Sequence, residues 1–434
     1  MMAAAATSLA LWAEGYQINT LSAKQEGMGH VGVAMKLGSE SMIFNPAGLS
    51  FSDKTIDISG SLTGIKANAT AIHNGTEYKT DNGISTPMAL SASFRIYDNL
   101  QCGVAFYTPY GSSINWGDNW PGAVLNQNVN LKTFTLQPTF SWRITPKLSV
   151  GAGLMLAWGS VDLNKGLVSG QAADALLGMM GQPAIFNNTT PASVNIKGTA
   201  DLALGVNLGA MYDISDKVTV GVNWRSKMTA KVKCGDAAVR YANDNAIIKK
   251  MLEEKLNMMN NANFKAEMPM PQSLTFGVSY KPIKPLILAF DAQFTGWSTY
   301  KHLDIDFLDD NLADFDQHLE KNYKNAWCFH LGAQYALTKR FDVRAGMMVD
   351  TTPVNSEFYN PETPGMTKIE PSVGFSFRPV SGLSVDFSFM YVAGTGKDNA
   401  SCTYKDFITG TDKQFTADYR VHAFVPALGL SYSF

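Results

Sequence analysis

From residue 148 to 163 the chain reads LSVGAGLMLAWGSVDL, and every second side chain on one face is apolar. Leu148, Val150, Ala152, Leu154, Leu156 and Trp158 share that face, while Ser149, Gly151, Gly153, Met155, Ala157 and Gly159 share the other. A period of two sets one face in an apolar medium and the other against small or polar groups. The same alternation fills LSVDFSFMYV from Leu383, VTVGVNW from Val218, QSLTFGVSY from Gln272, WCFHLGAQYAL from Trp327 and the terminal VPALGLSYSF. A soluble sandwich or propeller has no need of large apolar groups on one face of every strand. It would also bury some strands on both faces, as continuous apolar runs.

The connections alternate in length. Short turns fall at 97–99, 145–147, 215–217, 282–285, 338–340 and 380–382. Long polar segments fall near 68–86, 112–130, 163–196, 233–269, 299–322, 353–366 and 396–414. Seven long loops and six short turns predict about fourteen strands with both termini on the short-turn side, the asymmetry of bacterial outer-membrane barrels. Composition agrees. Charged residues make up 17% of the chain, against roughly 25% in soluble globular chains. No apolar run reaches the roughly 18 residues a membrane helix needs, but a closed barrel satisfies its backbone without one. The predicted fold is therefore all-β: a transmembrane antiparallel β-barrel over 53–434, ending at Phe434 with Tyr432 and Leu430. A net charge of −2 gives no support to nucleic-acid binding.

Residues 1–13, MMAAAATSLALWA, resemble the apolar core of a secretory signal with Ala13 before the cleavage point. The basic start is missing and Leu11 is not a small residue, so the expectation is a signal-peptide remnant. Cys102, Cys234, Cys328 and Cys402 show no metal-ligand spacing. Cys234 and Cys402 fall in expected loops and could pair, though four unlinked thiols is the simpler reading.

Residues 14–52 lack the alternation and are rich in small side chains, which suits a compact plug inside a lumen. They carry Gly15-Tyr16-Gln17-Ile18-Asn19, Ser22-Ala23, Gly27-Met28-Gly29 and Asn45-Pro46-Ala47-Gly48. On these stretches, with the strand count, loop placement and terminal Phe, the chain resembles the long-chain fatty acid transporters of the FadL/TodX type. The resemblance implies that the N-terminal segment is a hatch closing the lumen, starting at Gly15, Tyr16 and Gln17. It also implies that the Asn45-Pro46-Ala47-Gly48 corner lies beside a kinked third strand, where a gap opens through the wall. That strand is expected at 99–111, with Gly103, Pro109 and Gly111 as disruptors of pairing. Ligand would enter from outside and leave sideways into the membrane. Without the resemblance, the corner reads as an ordinary turn feeding the first strand.

Two long loops carry apolar residues: Leu176, Leu177, Met179, Met180 and Phe186 in one, and Ile248, Met251, Leu252 and Met259 at helical spacing in the other. By the resemblance they form a capture groove for ligand; alternatively they pack over the barrel mouth. Parity places Arg95, Arg143, Arg225, Arg344 and Arg378 on lumenal faces with Asp201, Asp291, Asp342 and Asp386. Arg143, Arg225 and Arg344 are candidate partners of a fatty acid carboxylate. The acidic segment 302–320 lacks the glycine and ligand spacing of a calcium loop. No Walker loop, GxSxG or HExxH occurs, so no catalytic residues, cofactor or metal are expected. The expected partners are a long-chain fatty acid or similar hydrophobic molecule, and outer-membrane lipid and lipopolysaccharide around a monomeric barrel. A general porin for small polar solutes is the rival reading, and an outer-membrane lipid hydrolase a distant one.

Overall fold

The computed structural model describes residues 15–242, 246–406 and 410–434, so the expected signal remnant at 1–13 lies outside the described residues. Fourteen antiparallel strands close into a barrel. They are β1 (Ile56–Thr63, continued by Lys66–His73), β2 (Met88–Tyr97), β3 (Leu100–Tyr107 and Gly111–Asn115), β4 (Asn128–Arg143) and β5 (Leu148–Gly166). Next come β6 (Ala192–Asp213), β7 (Val218–Arg225 and Met228–Tyr241), β8 (Ala262–Met270 and Ser273–Ile283) and β9 (Leu286–Thr295 and His302–Phe307). The rest are β10 (Gln317–Glu320 and Ala326–Ala336), β11 (Phe341–Asp350), β12 (Lys368–Phe377), β13 (Leu383–Gly394 and Lys397–Lys405) and β14 (Asp412–Ser433). Closure comes where β1 pairs with β14, Asp57 opposite Ser433 through Thr63 opposite Ala427.

The alternation does what the sequence requires of it. Leu136, Phe140, Leu204, Phe276, Phe290, Leu331, Val373 and Leu428 are exposed on the outer surface, where lipid replaces water. Trp142, Tyr212, Tyr280, Tyr335, Phe377 and Tyr432 form an exposed aromatic row near the short turns, as expected at a membrane interface. The strands run further than the sequence suggests on the long-loop side. Several expected loops are ladders, so Cys234 and Cys402 sit on β7 and β13 as free thiols, one exposed and one buried. Asp201 also departs from its predicted face. Ala157 pairs with Ala203 but Gly159 with Ala200, so Asp201 and Leu202 together oppose Trp158. This bulge shifts the parity, and Asp201 points outward to Lys233 at 2.6 Å.

Residues 15–52 pack inside the barrel, with short helices α1 (Ala23–Glu26) and α2 (Ser41–Phe44) and a 3-10 turn over Pro46–Phe51. Wall side chains satisfy this segment's backbone. Gly32 and Val33 N–H donate to the Asp291 carboxylate at 2.7 and 3.0 Å, and Gly29 N–H donates to Ser372 Oγ at 3.0 Å. The Glu40 carboxylate accepts from Ser22 and Ser59 at 2.7 and 2.5 Å. A belt of wall glycines admits the segment this closely: Gly103, Gly151, Gly209, Gly221, Gly277, Gly332, Gly346, Gly374 and Gly429. A Cβ at any of them would stand within 3.3 Å of an atom of residues 23–47. Each lies on a different strand, and the alternation points them all inward.

Candidate functional site

Between β2 and β3 the wall is incomplete. Their ladder runs from Tyr97 opposite Leu100 to Ala89 opposite Tyr107 and stops after one more bond, from Thr108 N–H to Met88 O at 3.2 Å. Continued by two residues, that register sets Pro87 opposite Pro109. Neither has an N–H, so the ladder cannot be extended there. On its other side β3 takes one extra residue: Tyr107 pairs with Thr135 but Gly111 with Lys132. This bulge at 108–110 drives Tyr110 into the lumen, where it is buried. Contact across the seam resumes only at Asn115, whose carbonyl accepts from Asp81 N–H at 2.9 Å.

The start of the inner segment closes this break from inside. Ile18 N–H donates to Pro109 O and Gly111 N–H to Tyr16 O, both at 2.8 Å, with Gln17 directly opposite Tyr110. Tyr16 then crosses the lumen, its hydroxyl donating to Pro269 O on β8. Its ring meets Trp297 edge-on at 4.8 Å, with Tyr110 and Tyr300 each at 5.9 Å. Gly15 has φ +60, and a Cβ there would strike the Trp297 ring.

Above this latch, on the long-loop side, an apolar cavity of about 870 Å³, counting its open mouth, occupies the lumen. Leu131, Leu163, Val232, Phe264, Met268 and Ile305 are among its walls, Tyr16 and Ser112 border it, and Glu362 and Thr363 contribute polar groups. Glu362 is ion-paired with the buried Lys321. Lys165, two residues beyond Leu163 on the same strand face, donates to the neutral Gln317 amide at 2.6 Å. Among the described residues no carboxylate lies within ion-pair distance of it.

The expected site residues divide. Gly15, Tyr16 and Gln17 come together with Pro109 and Gly111 at the broken seam. The Asn45–Gly48 corner does not join them. Asn45 is fully buried, its amide donating to Val33 O at 2.7 Å and Ala210 O at 3.1 Å, while its Oδ1 accepts from Ala47 N–H at 3.1 Å. Ala47 O accepts from Ser141 and Ser149 at 3.2 and 2.7 Å, and Pro46 lies on Gly151. A Cβ on Gly48 would meet Ser41 and Met35 O. The corner thus sits against β4–β6 near the short turns, because that is where the wall glycines leave room for it. Gly103 belongs to the glycine belt, under Met42, rather than to the break.

None of the three arginines lines the cavity. Arg143 is at the short-turn rim, donating to Asp98 O at 2.9 Å, and Arg225 donates to Ile43 O of α2. Arg344 is buried, hydrogen-bonded to Gln334 at 2.8 Å and near Asp386 and Asp342 at 3.5 and 3.7 Å. Each is committed to the wall or the inner segment. In the external loops, helices α3 (Gly170–Met179) and α4 (Ala246–Leu256) form, the second where helical spacing predicted an apolar face. Leu177, Phe186, Leu252 and Met259 are buried in the continuous core above the barrel, and Leu176 is half-buried. Met179, Met180 and Met251 are exposed, and the side chain of Ile248 lies outside the described residues. Packing over the mouth accounts for the first group, leaving Met179, Met180 and Met251 as the exposed members of the expected set. Sequence reasoning missed Pro87 and Lys165. Pro87 acquires meaning only through its partner in register, and Lys165 only through what its strand face lines.

A family model described as outer membrane protein transport protein (OMPP1/FadL/TodX) matches residues 3–434. An outer membrane protein of Neisseria meningitidis serogroup B is 24% identical over 468 aligned positions, spanning 100% of this chain and 97% of the relative. The long-chain fatty acid transport protein of Escherichia coli O6:H1 is 23% identical over 417, covering 91% of this chain and 90% of that protein. Among solved structures, a Pseudomonas aeruginosa FadL homologue superposes with a TM-score of 0.80 at 18% identity, over 97% of this chain and 100% of its own.

Proposed function

Because the chain belongs to the OMPP1/FadL/TodX family of outer membrane transport proteins, we propose that it takes up long-chain fatty acids through a lateral exit at the β2–β3 seam. Transport of hydrophobic compounds across the outer membrane of Gram-negative bacteria, without catalysis, is the family's activity. The observation that carries the finer reading is the joining of three features at one place. The cavity walls are apolar, its border includes Tyr16 and Ser112, and those two residues flank a stretch of wall that has no ladder. An alkyl chain in the cavity keeps its apolar contacts while the Tyr16 latch leaves the seam, and it then meets lipid rather than water. The carboxylate is held at Lys165, a cationic group near the cavity that donates to the neutral Gln317 amide. This gives an amphiphile an orientation that a bare hydrocarbon lacks. The inner segment pressed on the glycine belt supports a closed lumen at rest and weighs against a general porin.

The test is binding of a long-chain fatty acid and of the alcohol of equal chain length to purified protein in detergent. Lys165→Met is expected to weaken the acid about tenfold or more, in line with loss of one charge-assisted contact, and to leave the alcohol within about twofold. Equal losses for both ligands, or none for either, would remove Lys165 as the carboxylate partner.

A further inference from the structure

Beyond the cavity, His302–Phe307 of β9 and Gln317–Glu320 of β10 pair on the long-loop side of the barrel, where β9 also pairs with β8, Phe264 opposite Phe307. His302 lies opposite Glu320 and Asp304 opposite His318. Cross-strand partners and alternate residues share a face, so His302, Asp304, His318 and Glu320 project together from the outer one. Leu303 and Ile305 occupy the other face and line the cavity. His302 Nδ1 is 2.7 Å from Asp304 Oδ2, and His318 Nδ1 is 2.6 Å from Asp304 Oδ1. The two imidazole rings stand 4.7 Å apart. One ligating atom from each of His302, Asp304 and His318 lies within 4.8 Å of the others. All three side chains are open to solvent, at 47%, 39% and 62% exposure, so an ion can reach them.

We propose that this constellation is a binding site for a divalent transition metal of the zinc class. Two imidazoles and a carboxylate form a borderline nitrogen and oxygen donor set, which suits zinc, copper or nickel. Calcium and magnesium favour all-oxygen shells. Around zinc, bonds of about 2.0–2.1 Å set tetrahedral ligand atoms roughly 3.4 Å apart, so small side-chain rotations suffice to close the observed spacing. Water takes the fourth position; Glu320, opposite His302 on the same face and accepting from Asn322 Nδ2 at 3.1 Å, adds negative charge beside the site. The ion replaces the hydrogens now shared between the imidazoles and Asp304, and any proton displaced leaves to water. Bound there, it ties β9 to β10 directly behind the cavity wall formed by Leu303 and Ile305. The acidic segment shows no ligand spacing in sequence because the His302–Asp304 pair and His318 are fourteen or more positions apart and meet only through the hairpin register.

The test uses the full chain in detergent, prepared without a polyhistidine tag, stripped with a chelator and titrated with Zn²⁺ against a chromogenic competitor. Expected is one ion per chain with Kd at or below about 10 μM, unaffected by millimolar Ca²⁺. His302→Ala and His318→Ala should each weaken binding about tenfold or more, Glu320→Gln less, and His73→Ala, which is remote from the ladder, not at all. Heat-modifiable gel migration establishes that each variant retains its barrel. Absence of zinc binding by the intact chain, or full affinity in the His302→Ala/His318→Ala double variant, would overturn the site. The four residues would then be surface hydrogen-bonding pairs alone.

Discussion

A cysteine pair at Gln17 and Tyr110 tests whether the latch over the seam must open for transport. These two residues face each other between the flanking hydrogen bonds Ile18 N–H to Pro109 O and Gly111 N–H to Tyr16 O. They are therefore a non-hydrogen-bonded antiparallel pair, whose Cα atoms approach to about 4.5 Å, within the range that a disulfide spans. Opening the native latch gives up two backbone hydrogen bonds and the Tyr16 hydroxyl bond to Pro269 O, about 1 kcal/mol each net. It also exposes the Tyr16 ring, about 2 kcal/mol. A total near 5 kcal/mol leaves the latch open in about two molecules per ten thousand at rest, a population that ligand in contact with Tyr16 can raise. The disulfide removes that excursion altogether. In a Cys234→Ser background, which eliminates the exposed native thiol, the oxidised Gln17→Cys/Tyr110→Cys protein is expected to take up labelled long-chain fatty acid at least about tenfold more slowly than its reduced form. The reduced form controls for losing the Tyr16–Tyr110 ring contact. If quantitative disulfide formation left uptake within about twofold of the reduced protein, residues 16–18 would be no gate, and the exit would lie elsewhere.

Other consequences are independent of the latch. Gly346→Val places side-chain atoms where Met28 and Gly29 now lie, so the inner segment should lose its seat. Ion conductance in planar bilayers should rise sharply while heat-modifiable migration persists, and unchanged conductance would show that the belt does not hold the lumen closed. In the β5–β6 loop, burial raises the Asp174 pKa, but N–H donors of Phe186, Ile185 and Asn187 outweigh it, and the net shift is downward. The resulting stabilisation is complete above the ordinary carboxylate pKa of about 3.9 and fades as pH falls through the lower folded value. Amide exchange at 185–187, corrected for intrinsic rate, should accelerate only in that acid window, and Asp174→Asn should show the acceleration at neutral pH. Exchange in Asp174→Asn equal to the parent at neutral pH would refute this role.

Period-two alternation determined the barrel from sequence alone, because a face that must meet lipid on every strand leaves one closed architecture that satisfies the backbone. The absence of that pattern before residue 53 likewise marked the segment that fills the lumen. The six short turns fall where the Asp, Asn, Lys, Pro and Gly residues placed them, since turn chemistry is local. What only the tertiary structure decided depends on which residue lies opposite which. Pro109 was visible as a disruptor, but the unpaired seam requires Pro87 across from it. Asp201 was assigned to the lumen by counting, and a single bulge against Trp158 turned it outward. Arg225 and Arg344 were correctly placed inside, yet two of their partners, Ile43 O and Asp386, come from other segments of the chain. Asn45–Gly48 was recognisable as a rigid corner, but the glycines of β5 and β6 that receive it put it near the short turns, away from the break at Pro109. Local sequence fixes the direction of a side chain only as far as the next bulge; beyond that, register between distant strands sets both its face and its neighbours.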